Sequence, residues 1–196
     1  MKIRLAEIGV YLKQLVKNPL RLGSVIPSSK ETAQFIVKHI KKEKGFIIEL
    51  GAGTGSFTKA LLESGVSKEN LICVEIEPSF CDFLRKRFPG LRVVCGNAAK
   101  LADILPKDAL GNIVTVVSSI PFLSIPKQLR EDIVVSTLEV MNPDGRFIQV
   151  SYSPVSPVPW QKLGLIQHRY GFIWRNFPPI NIFGYEKNLD ETGTKF

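Results

Sequence analysis

Residues 45–152 alternate between short apolar runs and segments with an amphipathic, helix-like pattern. The apolar runs are almost continuous, as in strands that are buried on both faces of a sheet. Strands that alternate with helices in this way are typical of a parallel sheet covered by helices on both sides. The pattern therefore predicts an α/β fold with strands at 46–50, 71–75, 91–96, 113–118 and 146–152 and helices at 56–63, 78–88, 99–105 and 127–141.

The two ends of the chain depart from this alternation. Apolar residues recur every three or four positions over residues 1–17, which predicts an amphipathic helix, and a second helix is predicted over 30–42. After the alternating region, residues 166–174 and 181–186 resemble two further strands that form an antiparallel C-terminal edge of the sheet. The predicted organisation is an N-terminal helical extension, residues 1–44, followed by one domain, residues 45–196.

Charge separates the same two parts. The chain carries a net charge of +8, of which residues 1–44 contribute +7 and the remaining residues +1. A basic, amphipathic N-terminal segment is expected to bind a polyanion, either a nucleic acid or an anionic membrane surface. No apolar run approaches the roughly 20 residues that span a bilayer, the start lacks the apolar core of a signal peptide, and three cysteines suggest reduced thiols in a cytosolic protein. No Cys, His and carboxylate set has metal-ligand spacing, so no metal site is expected.

Candidate chemistry lies where three neighbouring strands are predicted to end. The first strand runs into a glycine loop, residues 51–55, the second ends at Glu75, and the third is followed by Asn97. Ser56 stands where a nicotinamide-binding loop needs its last glycine, and no Gly-Lys-Ser/Thr is present, so the loop does not predict a nicotinamide or nucleoside-triphosphate site. A carboxylate about 20 residues beyond the glycines can accept hydrogen bonds from ribose hydroxyls. Together these groups predict a nucleoside ligand without a pyrophosphate.

The motifs E-L-G-A-G-T-G, V-E-I-E and G-N-A, in this order, resemble those of the class I S-adenosylmethionine (SAM)-dependent methyltransferases over about residues 30–175. The resemblance implies a Rossmann-like sheet and SAM as the cofactor. It implies that the glycines lie against the methionine and ribose portions of SAM, that Glu75 binds the ribose hydroxyls, and that Asn97 contacts the adenine amine. The complete implied cofactor set is Glu49, Gly51, Ala52, Gly53, Gly55, Glu75, Ile76, Asn97 and Ala98.

Two methyltransferase families have a pattern similar to Ser118-Ser119-Ile120-Pro121-Phe122, where the fourth strand ends. The rRNA adenine dimethyltransferases have Asn-(Leu/Ile)-Pro-(Tyr/Phe), but Ser119 stands here in place of their Asn. The bacterial phospholipid N-methyltransferases resemble the chain over nearly its whole length. Their motifs are similar to residues 18–29, Ser118 to Pro121, Gln149 to Pro154 and Asn176 to Pro179.

The second resemblance implies N-methylation of phosphatidylethanolamine and its mono- and dimethyl forms by a cytoplasmic enzyme, peripheral on the inner face of the membrane. Its partners would be an anionic membrane surface and an amine-headgroup lipid, with no nucleic acid. The candidate catalytic residues are Ser118, Ser119 and Tyr152, and the candidate substrate or membrane residues are Leu5, Ile8, Leu12, Lys13, Arg21, Pro121 and Phe122.

Four alternatives remain open at the level of sequence. The protein could methylate N6 of adenine in rRNA, or it could be a membrane-binding module with a vestigial pocket. Residues 1–17 could pack on their own domain instead of on a membrane, because amphipathic helices usually face a core. Tyr152 could be a packing residue and not a polar contact to the acceptor.

Overall fold

The computed structural model describes residues 30–41, 43–174 and 179–188. The first predicted helix and five of the predicted membrane residues, Leu5, Ile8, Leu12, Lys13 and Arg21, lie outside the described residues. The helices are α1 (Lys30–Val37), α2 (Ser56–Glu63), α3 (Pro78–Arg87), α4 (Leu101–Ile104) and α5 (Lys127–Val140). The strands are β1 (Phe46–Leu50), β2 (Leu71–Glu75), β3 (Arg92–Cys95), β4 (Ile113–Ser118), β5 (Met141–Ser151), β6 (Leu165–Ile173) and β7 (Ile180–Lys187).

The seven strands form one sheet in the order β3-β2-β1-β4-β5-β7-β6. Strands β1 to β5 pair in parallel, whereas β7 is antiparallel to both of its neighbours, β5 and β6. The predicted α/β class with an antiparallel C-terminal edge is therefore confirmed. Because β7 alone is reversed, β6 runs in the same direction as β1 to β5, and its end lies at the same edge as theirs. We call this the carboxyl edge.

Neighbouring side chains of a strand point to opposite sides, so both faces of this apolar sheet need to be buried. Helices cover each of them. Ile48 of β1 belongs to a core that α4 and α5 cover, together with Phe147 and Tyr185. Ile47 belongs to the opposite core, which α1, α2 and α3 cover. Ala33 and Ile36 of α1 are fully buried in that core, so the described part of the predicted N-terminal extension packs against the domain. The division at residue 44 stays a prediction.

Three predicted boundaries differ from the structure by more than one residue. The helix predicted over 30–42 ends at Val37. The helix predicted over 99–105 begins as a 3-10 turn, Ala98–Lys100, because Asn97 caps that turn, and α4 follows it. The strand predicted over 146–152 begins earlier, at Met141, so residues 142–145 are part of β5. Met141 already pairs with Ile113, and pairing resumes at Arg146 opposite Thr115, so the four residues between them form an irregularity within the strand.

Candidate functional site

The glycine loop after β1 is held in place from two sides. Gly51, Gly53 and Gly55 all have positive φ angles, of 77°, 54° and 76°, a region that residues with a Cβ rarely adopt. A Cβ on Gly51 would lie 2.9 Å from Cγ1 of Ile120, and one on Gly55 would lie 2.5 Å from the ring of Phe88. A Cβ on Gly53 would meet no atom within 4 Å. The loop is thus packed at both ends and open at its middle, where a ligand can approach the backbone.

Glu75 connects the end of β2 to this loop. Its Oε2 accepts a hydrogen bond from the backbone N–H of Gly53 at 2.8 Å, and Oε1 accepts from the N–H groups of Ile76 at 2.8 Å and Glu77 at 2.9 Å. A carboxylate offers about four acceptor positions. Three of them are used, so Glu75 can accept one further donor while the loop keeps this arrangement. A second ribose hydroxyl would have to replace one of the backbone donors.

Asn97 follows β3 at the same edge. Its Oδ1 accepts from the backbone N–H of Ala99 at 2.9 Å and so caps the turn that begins with Ala98, which is buried. The cap uses the oxygen of the side-chain amide. The other polar atom, Nδ2, takes no part in the cap and is a hydrogen-bond donor. A donor suits a ring nitrogen of adenine better than the exocyclic amine, which is itself a donor.

The side chain of Glu49 is not accessible from the carboxyl edge, which corrects its predicted role in binding the cofactor. The side chain is fully buried, and its Oε2 accepts from Oγ1 of Thr58 at 2.7 Å and from Sγ of Cys73 at 3.3 Å. Burial raises the pKa of Glu49 from 4.5 to about 7, although these two hydrogen bonds act in the opposite direction. Burial and the nearby Glu49 also raise the pKa of the Cys73 thiol well above its ordinary value. Glu49 therefore stabilises the glycine loop indirectly, because its hydrogen bond to Thr58 joins β1 to α2, the two elements that the loop connects.

The segment after β4 lies against the glycine loop. Ser119 donates from Oγ to the carbonyl oxygen of Gly51 at 2.9 Å, and its N–H donates to the carbonyl oxygen of Leu50 at 3.1 Å. The hydroxyl of Ser118 is buried and accepts from the N–H of Ile120 at 3.3 Å. The two predicted catalytic serines thus use their hydroxyl groups within the protein, where they fix the conformation of residues 118–120.

Gln149, near the end of β5, is a site residue that was not among the candidates. It is fully buried and donates from Nε2 to the carbonyl oxygens of Ile120 at 3.0 Å and Val150 at 2.7 Å, while its Oε1 is buried without a hydrogen-bond partner in the part of the chain that the structure describes. Two signals in the sequence point to it: Gln149 begins the motif at residues 149–154, and it is a single amide within the apolar run Phe147-Ile148-Gln149-Val150. Through Ile120, Gln149 holds the segment after β4 at the carboxyl edge.

Tyr152 comes directly after β5 and is half-buried. Its hydroxyl oxygen is buried and has no hydrogen-bond partner among the described residues. Burial raises the pKa of Tyr152 to about 12, so the phenol is neutral at physiological pH. A neutral hydroxyl without a partner in the described ranges can both donate and accept a hydrogen bond.

The prediction that Phe122 contacts substrate or membrane needs correction. Its ring is only 2% exposed and packs 6.3 Å from the ring of Phe147. Pro121 is partly exposed, and the neighbouring Leu123 is 58% exposed. The apolar side chain that this segment offers to its surroundings is therefore Leu123. Within the described ranges, no helix has the length and apolar character needed to cross a membrane.

Comparison with known proteins identifies the kind of domain that the chain contains. Residues 47–145, about half of the chain, match the sequence profile described as a methyltransferase domain. The ornithine lipid N-methyltransferase of Singulisphaera acidiphila is 29% identical over 181 residues, which cover 90% of this chain and 94% of that protein. Ribosomal RNA small subunit methyltransferase A of Thermotoga petrophila is 33% identical over 129 residues, which cover 63% of this chain but only 46% of that protein.

Solved structures agree on the fold. The 1,6-didemethyltoxoflavin-N1-methyltransferase of Burkholderia thailandensis, bound to S-adenosylhomocysteine, has a TM-score of 0.62 at 14% identity, and the match covers 96% of this chain and 92% of that one. The magnesium protoporphyrin IX methyltransferase of Synechocystis, bound to SAM, has a TM-score of 0.61 at 13% identity, covering 82% and 80%. The open backbone at Gly53 and the carboxylate of Glu75 fit such a ligand. The chain thus belongs to the methyltransferase-domain family, as a SAM-dependent enzyme of the Rossmann-like, class I fold.

Proposed function

We propose that this methyltransferase transfers the methyl group of SAM to the amino group of a membrane lipid headgroup. The observation that carries the proposal is the extent of the likeness to the ornithine lipid N-methyltransferase, which spans 94% of that relative, including the segments after β4 and β5. The rRNA methyltransferase likeness covers less than half of that relative. Phosphatidylethanolamine and ornithine lipid both present a primary amine, and we propose phosphatidylethanolamine and its partly methylated forms as the first substrates to test.

We assign the two halves of the carboxyl edge to the two ligands. Gly53, Glu75 and Asn97 would hold SAM, with Glu75 accepting from a ribose hydroxyl and Nδ2 of Asn97 donating to an adenine ring nitrogen. Residues 118–121 and Tyr152 would receive the amine. When bound, SAM supplies an electrophilic methyl group on a positively charged sulfur.

The acceptor must reach that methyl group as a neutral amine with a free lone pair. A primary ammonium has a pKa near 10, so its deprotonation at pH 7 costs about 4 kcal/mol. The serine hydroxyls are already hydrogen-bonded within the protein, so neither is placed to remove a proton. We infer that the chain acts by orienting the amine, through backbone carbonyls near Ser118 and Ser119 and through Tyr152, and by excluding water.

Radiolabelled methyl transfer from SAM to total lipid and, separately, to total RNA tests the proposal. Label in an amine lipid and none in RNA is the expected result. Label in RNA alone would replace the proposal with an adenine methyltransferase, since a lipid enzyme has no contact that selects RNA. Purified phosphatidylethanolamine and ornithine lipid, each offered as the sole acceptor, then identify the headgroup. The peripheral location on the inner face of the membrane remains part of this proposal.

A further inference from the structure

Large apolar side chains are exposed around the acceptor half of the carboxyl edge. Leu123 lies in the 3-10 turn after β4, Val155 lies in the proline-rich loop after β5, and Phe172 and Trp174 lie at the end of β6. Their exposed fractions are 58%, 70%, 54% and 73%. Each is therefore more than half accessible in the folded protein.

Strand register places the last two residues at the carboxyl edge, level with the end of β5. Phe172 pairs with Asn181 of β7, and Asn181 pairs with Ser151, the last residue of β5. Phe172 is thus level with the point at which β5 leaves the sheet, one residue before Tyr152, and Trp174 lies beyond it. We call Leu123, Val155, Phe172 and Trp174 the apolar rim.

The segments of the chain that carry the apolar rim contain basic but no acidic residues. Residues 119–130 and 152–174 contain no Asp or Glu, and their Lys and Arg residues are Lys127, Arg130, Lys162 and Arg169. Lys162 pairs with Glu131 of α5 at 2.7 Å. Arg130 and Arg169 instead donate to uncharged oxygens, those of Pro157 and Asn181, and Lys127 is exposed. Exposed apolar and aromatic side chains among cations match the boundary between anionic headgroups and acyl chains.

We propose that the apolar rim inserts into an anionic lipid bilayer, so that the mouth of the acceptor crevice faces the headgroup layer. The inference deepens the proposed function and rests on it for its biological meaning. Docking in this orientation would let a headgroup amine enter the crevice while the lipid keeps its acyl chains in the bilayer. Exposed aromatic residues beside arginine can also stack on single-stranded RNA, and the test includes that outcome.

Trp174 is a built-in reporter of the proposed insertion, since the chain has only two tryptophans and the other, Trp160, is half-buried. In full-length Trp160→Phe protein, phosphatidylglycerol vesicles free of amine lipid should shift the Trp174 emission to shorter wavelength. Brominated acyl chains in the same vesicles should quench it. An emission unaffected by vesicles that bind the protein would overturn the proposal, because the apolar rim would then remain in water.

Matched triple variants separate the apolar rim from general hydrophobicity. Leu123→Ser, Val155→Ser and Phe172→Ser together should weaken vesicle binding more than tenfold, which corresponds to about 1.4 kcal/mol. The control combines Leu110→Ser, Val135→Ser and Ile166→Ser, which alter exposed side chains before β4, on α5 and at the start of β6. The control should bind vesicles within about twofold of the wild type. Equal vesicle binding by the two triples, or loss of binding to single-stranded RNA alone, would overturn the proposal.

Two substrates distinguish failure of the docking surface from failure of the proposed function. A short-chain amine lipid, dissolved as monomers, should be methylated equally by the wild type and the rim triple variant, because it does not require docking. If the wild type methylates no amine lipid but Trp174 still inserts, the proposed function fails and the docking surface stands. If the short-chain lipid is methylated but Trp174 stays in water, the docking surface fails and the proposed function stands.

Discussion

Glu49 and Glu75 lie near the ends of neighbouring strands, but their surroundings give their carboxylates different roles. Glu75 is bonded to three backbone N–H groups, which stabilise a negative charge beside the crevice. Glu49 accepts from the hydroxyl of Thr58 and the thiol of Cys73, and its Oε1 has no hydrogen-bond partner within the described residues. A buried carboxylate with so few donors is costly to ionise.

We expect Glu49 to make stability fall as pH rises. Its pKa is about 7 in the folded protein and 4.5 in the reference state, so the folded state binds more protons between these pH values. The free energy of unfolding should therefore decrease by up to about 3 kcal/mol from pH 4.5 to pH 7. Glu49→Gln removes this titration, and denaturant unfolding should show it more stable than the wild type at pH 8 but not at pH 4.5. An equal difference at both pH values would contradict the assignment.

We expect the affinity for SAM to depend on Glu75. Glu75→Ala removes a charged acceptor for a ribose hydroxyl, and such a hydrogen bond contributes roughly 1.5–3 kcal/mol. Affinity measured by calorimetry should fall on the order of tenfold to a hundredfold, and Asn97→Ala should have a smaller effect because its amide is uncharged. Glu77→Gln, two residues further along, is the matched control and should bind nearly as the wild type. Unchanged affinity in folded Glu75→Ala protein would exclude Glu75 from the cofactor site.

At the scale of elements, α1 and the end of the sheet meet through aromatic rings. The ring of His39, after α1, stacks on Phe35 at 4.8 Å and on Tyr170 of β6 at 4.2 Å between centroids. Arg146 of β5 lies 5.4 Å from the Tyr170 ring and donates to the carbonyl oxygen of His39. Tyr170 in turn lies over Gly184 of β7, whose missing side chain leaves room for the ring.

We therefore expect Gly184→Ala to destabilise the protein through Tyr170. An added Cβ would overlap the tyrosine ring, and overpacking of this kind costs about 1–3 kcal/mol. In a Tyr170→Leu background the same substitution should cost far less, because the ring that it displaces is gone. A double-mutant cycle measured by denaturant unfolding gives the coupling energy. A coupling energy near zero would show that Gly184 is not required by the ring.

The same elements show what the sequence could and could not predict. The strands were predictable because near-continuous apolar runs report burial on both faces, and the glycine loop because its motif is local. The roles of Glu49 and Phe122 were misassigned, since sequence position does not tell which face of a strand or turn a side chain occupies. Gln149 was missed because its partner, the carbonyl oxygen of Ile120, is 29 residues away and is brought close only by the pairing of β4 with β5.

At the scale of the whole molecule, the basic N-terminal residues and the apolar rim are two features of the chain that suit an anionic surface. Residues 1–44 carry most of the net charge. The segments that follow β4 and β5, residues 119–130 and 152–174, contain no acidic residue. A protein with both features has two independent means of meeting an anionic surface, one that depends mainly on charge and one on apolar insertion. Salt weakens only the first of them strongly.

The last prediction concerns residues 1–17, which we expect to act as an interfacial amphipathic helix. Residues 1–21 carry five basic and one acidic side chain, and at about 1 kcal/mol per net charge near an anionic surface they contribute about 4 kcal/mol. A variant beginning at Arg21 should fold and bind SAM as the full chain does, but lose co-sedimentation with anionic vesicles and most activity on bilayer substrate. Neutralising Lys2, Arg4, Lys13 and Lys17 with glutamine keeps the apolar stripe, and should reproduce the loss at low salt. Unchanged vesicle binding after truncation would contradict the anchor, and failure to fold would show that the helix packs on its own domain.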